Sequence, residues 1–235
     1  MKATLIIRHI EKLYTCDSQD TICTHAFVAC HHDRILECGP GDGRRWQDEA
    51  TRIIDAAGEI VVPAFIETQY DMPRRALYNE MLRQERDRLW QMYHNGILTV
   101  LTTAGRIQQR TLYQDVFRAR KGVIAQVKFG DKAPRKEPFV LTCAGPGDNR
   151  SLQPAAFYQR HIHHVDSLTL LKASTCWPAQ AARLDDRGII APGKLADMLV
   201  LRVPDIDGFY ELADTSLIRR IIKNGIPVYP EIIRC

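Results

Sequence analysis

Histidines and one cysteine are the side chains in this chain that could most readily do chemistry. His161, His163 and His164 form a dense group of imidazoles. In an extended backbone His161 and His163 would share a side and could bind a metal ion. The alternative is a polar loop before a helix that Asp166 caps. Cys143 follows a predicted strand, where it is either a nucleophile beside a histidine or a buried thiol at the strand end.

The middle of the chain alternates between predicted helices and strands, and this alternation must position those residues. Apolar periodicity predicts a helix, a strand, a second helix and two further strands, at residues 73–95, 97–103, 107–121, 123–129 and 138–143. Two shorter helices are expected later, one capped by Asp166 and one beginning at Pro178. Alternating elements of this kind indicate parallel βαβ units.

Both ends of the chain have the pattern of short strands separated by turn residues. These strands are predicted at residues 3–8, 22–30, 34–38 and 52–55 near the start, and at 197–202, 217–223 and 226–229 near the end. Asn224 and Gly225 form a two-residue turn with positive φ between the last two strands.

The composition excludes several classes of protein. The net charge of +4 is small, and charged runs such as residues 83–88 are typical of a solvated helix face rather than of a nucleic-acid surface. No apolar stretch approaches the roughly 20 residues of a membrane span, and the start lacks a signal-peptide pattern. The seven cysteines are therefore expected as free thiols in the cytoplasm.

Several segments carry patterns that together identify a family. They read IIDAAGEIVVPAFIE at residues 53–67, NGILTV at 95–100, VLTCAGPG at 140–147, ASTCWPA at 173–179 and DRGIIAPGKLADMLV at 186–200. In this order they resemble the amidohydrolase superfamily of metal-dependent hydrolases, which includes imidazolonepropionases and cytosine deaminases. The resemblance implies an α/β protein in which both chain ends, residues 1–65 and 186–235, form a composite β-sandwich. Residues 66–185 would then be a truncated remnant of the (β/α)8 barrel.

The middle is too short for a complete barrel. Residues 71–164 number 94, whereas eight strand–helix units take about 250 residues. Only three or four barrel strands are expected. An open sheet of that kind needs a cover, so we expect a homo-oligomer or a partner protein.

The resemblance also shows which side chains are missing. The family places a metal-binding pair of histidines where this chain has Gln69 and Asp71, and a catalytic aspartate where it has Ala144 or Cys143. Some members bridge two metals with a carboxylated strand lysine, for which Lys128 is a weak candidate beside the alternative of an ordinary ion-paired lysine. We therefore expect no cofactor, with zinc as the alternative.

Three functions remain open on the sequence. The first is a degenerate amidohydrolase-like protein that acts as a binding or structural subunit without metal-dependent hydrolysis. The second is an active hydrolase of C–N bonds in a small cyclic amide or amine, with rearranged ligands or a site shared between subunits. The third is a metal-free binder of a small molecule. No nucleic-acid or membrane partner is expected.

Overall fold

The computed structural model describes residues 1–70, 77–103, 107–120, 125–130, 156, 159–212 and 214–229. The strands, in chain order, are β1 Leu5–Tyr14, β2 Ile22–His31, β3 Arg34–Pro40, β4 Arg52–Asp55, β5 Ile60–Pro63, β6 Phe65–Glu67, β7 Ile97–Thr103, β8 Gln126–Gly130, β9 Met198–Leu201, β10 Ile218–Lys223 and β11 Ile226–Tyr229. The helices are α1 Tyr78–His94, α2 Ile107–Arg120, α3 Ser167–Ser174, α4 Cys176–Ala181 and α5 Ile206–Leu212. None of these helices is long and apolar enough to cross a membrane.

The two ends of the chain meet in one mixed sheet of eight strands. Its order is β11-β10-β9-β5-β1-β2-β3, with β4 also paired to β1. The junction between the ends is β5 against β9, an antiparallel pair in which Val61 lies opposite Val200. Buried side chains from both ends, including Leu5, Met198 and Ile222, belong to one apolar cluster. The ends are therefore joined by hydrogen bonds and by packing, while the division into a two-layered sandwich stays a prediction.

The second sheet is parallel and has three strands in the order β6-β7-β8. The predicted strand 97–103 has the observed bounds of β7, and the predicted helices correspond to α1 and α2. The strand expected at 138–143 lies outside the described residues. Parallel strands joined by helices confirm the βαβ reading of the middle of the chain.

The residues along β7 alternate between two covered faces of this small sheet. Leu98 and Val100 belong to the large cluster that contains α1 and part of α2. Leu101 belongs instead to a cluster with Ile66 of β6 and Ala179 of α4. The chain thus covers one face with α1 and α2 and the other with α4 and the residues after it.

Local signals explain where several elements end. The Asp166 carboxylate accepts the Thr169 N–H at 2.8 Å and caps α3, as the sequence predicts. Gly96 follows α1 with a φ of 81°, and a Cβ there would lie 2.6 Å from Leu199 Cδ1. Sequence periodicity missed α5, a helix of seven residues, because so short an element carries too few periods to stand out.

The turn between β10 and β11 packs tightly on the turn between β2 and β3. Asn224 and Gly225 have φ values of 51° and 72°, which confirms the predicted positive-φ turn. A Cβ built on Gly225 would lie 1.8 Å from the carbonyl oxygen of His32. A residue with a side chain therefore cannot occupy position 225 without moving one of the two turns.

We predict that Gly225→Ala destabilises the protein far more than Gly193→Ala does. Gly193 has a similar positive φ of 82°, but a Cβ there would meet nothing within 4 Å. Gly193→Ala should therefore cost about 1 kcal/mol of unfolding free energy, from backbone strain alone. Gly225→Ala should cost roughly 3 kcal/mol or more, from strain plus the clash with His32. Urea denaturation of both variants measures the difference, and equal losses would contradict the contact between the two turns.

Candidate functional site

The end of β6 is the place where the sequence resemblance puts the first metal ligands. Gln69 lies there with its side chain exposed to solvent. Its backbone N–H donates to Oε1 of Glu67 at 2.6 Å, and the Glu67 side chain is buried, 2% exposed. The buried Glu67 carboxylate is therefore already engaged by the backbone. Asp71 lies outside the described residues.

The other predicted positions are not gathered around Gln69. Cys143 and Ala144 lie outside the described residues. Lys128 lies on β8 and is half-buried. The pKa of Asp186 is lowered chiefly by hydrogen bonds from Arg187, and the charge of Lys128 contributes a smaller part. Lys128 thus lies close enough to Asp186 for its charge to act on that carboxylate.

The histidine group does not have the extended backbone in which His161 and His163 would share a side. His161 lies in a helical segment, and the His163 N–H donates to the Gln159 carbonyl oxygen at 3.2 Å. His164 follows with a left-handed φ of 54°. All three histidine side chains are exposed. The segment is a helix end and a turn before α3, which corresponds to the polar-loop alternative.

The described side chains do not fit a zinc ion. A catalytic zinc site takes three protein ligands from histidine, cysteine, aspartate or glutamate. Within the ranges that the structure describes, no three such residues lie close enough together to hold a metal ion. We therefore assign no chemical step to a metal at the end of β6.

Glu85 of α1 is a buried acid that the sequence analysis placed wrongly. It belongs to the charged run 83–88, expected as a solvated face, but its side chain is 0% exposed. The Tyr70 hydroxyl donates to Oε1 of Glu85 at 2.6 Å. Burial raises the pKa of Glu85 to about 7, against smaller lowering effects of the Tyr70 hydrogen bond and the Arg88 charge. The spacing of Glu85 in the sequence indicates its burial, because Glu85 lies four residues from both Met81 and Leu89 on the buried stripe.

Arg187 is also buried, and its hydrogen bonds join the small sheet to the segment after α4. Its Nη1 donates to Thr99 Oγ1 at 2.8 Å and to Gln126 Oε1 at 3.1 Å. Its Nε donates to the carboxylate of Asp186 at 2.9 Å. The side chain is nearly all buried, with 4% exposed. Arg187 therefore bonds to β7 and β8 on the same face that Ala179 covers.

Two further buried ionisable side chains, Asp197 before β9 and Lys223 at the end of β10, lie near Arg187. Burial raises the pKa of Asp197, while the N–H of Asn224 donates to its Oδ1 at 2.7 Å. Burial lowers the pKa of Lys223 to about 8, and the charge of Asp197 works in the opposite direction. The two charges stabilise each other in a place where each alone would be costly.

A shallow depression of about 500 Å³ lies on the eight-stranded sheet, away from these residues. His9 and His25 line it, both with positive φ, together with Glu11 and Asp42. Nδ1 of His9 lies 2.8 Å from the carboxylate of Asp55, and His25 lies 3.7 Å from that of Glu11. His9 therefore pairs with a carboxylate outside the lining of the depression, and His25 lies near one within it.

Comparison with solved structures assigns the fold. Molinate hydrolase matches with a TM-score of 0.71 and 12% identity, over 97% of this chain and 95% of that one. An adenosine deaminase from Xanthomonas campestris with bound zinc has a TM-score of 0.70 and 11% identity, over 96% and 93%. A triazine hydrolase variant has a TM-score of 0.65 and 12% identity, over 96% and 94%.

Comparison of sequences adds one short likeness. Adenine deaminase 2 of Oenococcus oeni is 42% identical over 55 residues, which make up 23% of this chain and 8% of that protein. No family model matches the chain. The structural neighbours are amidohydrolase-superfamily proteins, so the resemblance read from the sequence is confirmed: the chain has the amidohydrolase fold.

Proposed function

We propose that this chain is a degenerate amidohydrolase-like protein that acts as a binding or structural subunit and does not catalyse metal-dependent hydrolysis. The observation that carries this proposal is the covered second face of the small sheet. Ile66 and Leu101 pack there against Ala179, and Arg187 bonds to two further side chains of the same face. In a complete (β/α)8 barrel the side chains of the other strands fill the corresponding inward face, whereas here α4 and Arg187 fill it.

The geometry of (β/α)8 barrels supports this argument. In such barrels the helices surround the strands, and the opposite strand face points inward below an active site at the carboxyl ends of the strands. Here α1 and α2 cover one face of the sheet, and α4 lies on the other. The inward-facing positions of the remnant are thus used for packing within the chain.

The end of β6 supports the proposal independently. An amidohydrolase of this type activates water with metal held by side chains that converge on the strand ends. Gln69 supplies an exposed amide at that position, and the Glu67 carboxylate is engaged by the Gln69 N–H. These groups can bind or orient a polar ligand, but they supply no set of metal-binding side chains.

A partner remains part of the proposal, as a homo-oligomer, a partner protein or a small-molecule ligand. The sequence predicts a second subunit because an open sheet needs a cover. In the structure, α4 covers the second face of the small sheet within the chain. Leu89 of α1 is 0% exposed inside the core. An assembly would therefore use other surfaces than the buried stripe of α1.

The second candidate is an active hydrolase of C–N bonds, with rearranged ligands or a site shared between subunits. The short likeness to adenine deaminase 2 favours it, together with the shared fold of a zinc-containing adenosine deaminase. Its site would have to be built from groups other than those described at the end of β6.

We predict that protein made without added metal holds far less than one zinc, iron or manganese ion per chain. Elemental analysis measures this content, with the subunit mass determined by light scattering on the same sample. We also expect no chelator-sensitive release of ammonia from adenine or from cyclic amides. Gln69→Ala should behave like the control Gln84→Ala, an exposed glutamine of α1. One tightly bound metal per chain with chelator-sensitive hydrolysis would establish the second candidate instead.

A further prediction tests the covered face itself. Arg187→Met should lower the unfolding free energy by about 2–4 kcal/mol, because Thr99 and Gln126 lose a buried donor and Asp186 loses its partner. The matched control is Arg183→Met, since Arg183 is exposed, and a change within about 0.5 kcal/mol is expected there. Urea denaturation compares the two variants. If Arg187→Met were as mild as the control, the cover on this face would be loose and the proposal would lose its main support.

A further inference from the structure

Glu85 is a carboxyl group enclosed between α1 and the end of β6. Its side chain is 0% exposed, and Oε1 accepts the Tyr70 hydroxyl at 2.6 Å. Oε2 is buried as well and has no hydrogen-bond partner among the residues that the structure describes. Buried polar atoms nearly always have a partner, so the bare oxygen needs a physical account.

Two described side chains act on the pKa of this carboxyl, and their effects can be separated. Tyr70 at the end of β6 and Arg88 on α1 both favour the ionised form, the first by a hydrogen bond and the second by its charge. The Arg88 guanidinium lies 4.5 Å from the centre of the Tyr70 ring. Glu67, the other buried acid at this strand end, accepts the Gln69 N–H. Burial outweighs the favourable contacts and raises the pKa of Glu85 to about 7.

We propose that Glu85, by binding or releasing a proton, controls the contact that holds the end of β6 on α1. We call this contact the tie. With the proton bound, the carboxyl is neutral, the enclosed site tolerates it, and the Tyr70 hydroxyl stays in contact. When the proton leaves, a negative charge remains in a buried site where one oxygen has no donor among the residues that the structure describes. An opened arrangement that admits water to the carboxylate is then favoured. Tyr70 directly follows Gln69, so the end of β6 separates from α1 when Tyr70 leaves Glu85.

The direction of the pH dependence follows from proton binding in the two arrangements. In the opened arrangement Glu85 has the ordinary glutamate pKa of 4.5, whereas in the closed one the pKa is about 7. The closed arrangement therefore binds the proton more tightly. Its free-energy advantage over the opened arrangement falls as the pH rises from 4.5 to about 7. Between about pH 6 and about pH 8 the opening equilibrium should increase about tenfold.

Amide hydrogen exchange of the full-length protein tests the tie. Peptides covering residues 65–70 and 78–92 report the local opening once each rate is divided by its intrinsic rate at the same pH. We expect the opening of these peptides to increase about tenfold between about pH 6 and about pH 8, while peptides from β1 and β2 stay constant. Glu85→Gln, which keeps the shape without the charge, should remove the increase.

Two further variants distinguish the tie from general weakening of the fold. Glu80→Gln, at an exposed position on the same helix, should keep the wild-type pH dependence. Tyr70→Phe removes a contact that lowers the pKa of Glu85. In this variant the increase in local opening should therefore continue to higher pH than in the wild type. Opening that is independent of pH in the wild type, or an unchanged increase in Glu85→Gln, would overturn the inference. This test is independent of the proposed function, because it measures neither metal nor catalysis.

Discussion

The buried carboxylate of Asp197 is the constraint on which the arrangement of the chain ends depends. Its side chain accepts the N–H of Asn224 at 2.7 Å, and its carbonyl oxygen accepts the N–H of Ala64 at 3.1 Å. One residue thus connects the start of β9, the turn after β10 and the junction between β5 and β6. Burial raises the pKa of Asp197, and the charges of Arg187 and Lys223 offset part of that cost. The hydrogen bonds of Asp197 therefore join three segments that are distant in the sequence.

Arg187 extends this joint from the large sheet to the small one. Asp186 and Arg187 precede the first residue of β9 by 12 and 11 residues, and Arg187 bonds to Thr99 of β7 and Gln126 of β8. The position of the small sheet relative to the large one is thereby fixed by side chains and by the short connection from β5 to β6. Gly96 also allows the two sheets to pack closely, because only a residue without a Cβ lets Leu199 of β9 approach so closely. The two sheets behave as one packed unit in the part of the chain that the structure describes.

Strands and helices were predicted well from the sequence where the apolar pattern was regular, as in β7, α1 and the cap at Asp166. The prediction failed where a residue's environment depends on distant packing. Glu85 looked like part of a charged surface, because the neighbouring side chains on α1 are charged and only the fold reveals the enclosure by Tyr70. The role of Arg187 was hidden for the same reason, since its partners lie 61 and 88 residues away. Sequence patterns report periodicity along an element, whereas a buried charge is defined by what another element brings to it.

The substitution at position 69 and the closure of the small sheet have the same consequence under the proposed function. A metal ligand at a strand end is useful only if a cavity beside it admits substrate and water. When α4 and Arg187 occupy the inward face, a histidine at position 69 would meet no existing cluster of metal-binding side chains among the residues that the structure describes. An exposed glutamine there costs nothing, since its backbone N–H already serves the buried carboxylate of Glu67. Loss of the ligands and filling of the interior therefore support each other, and restoring one histidine would not restore chemistry without also reopening that face.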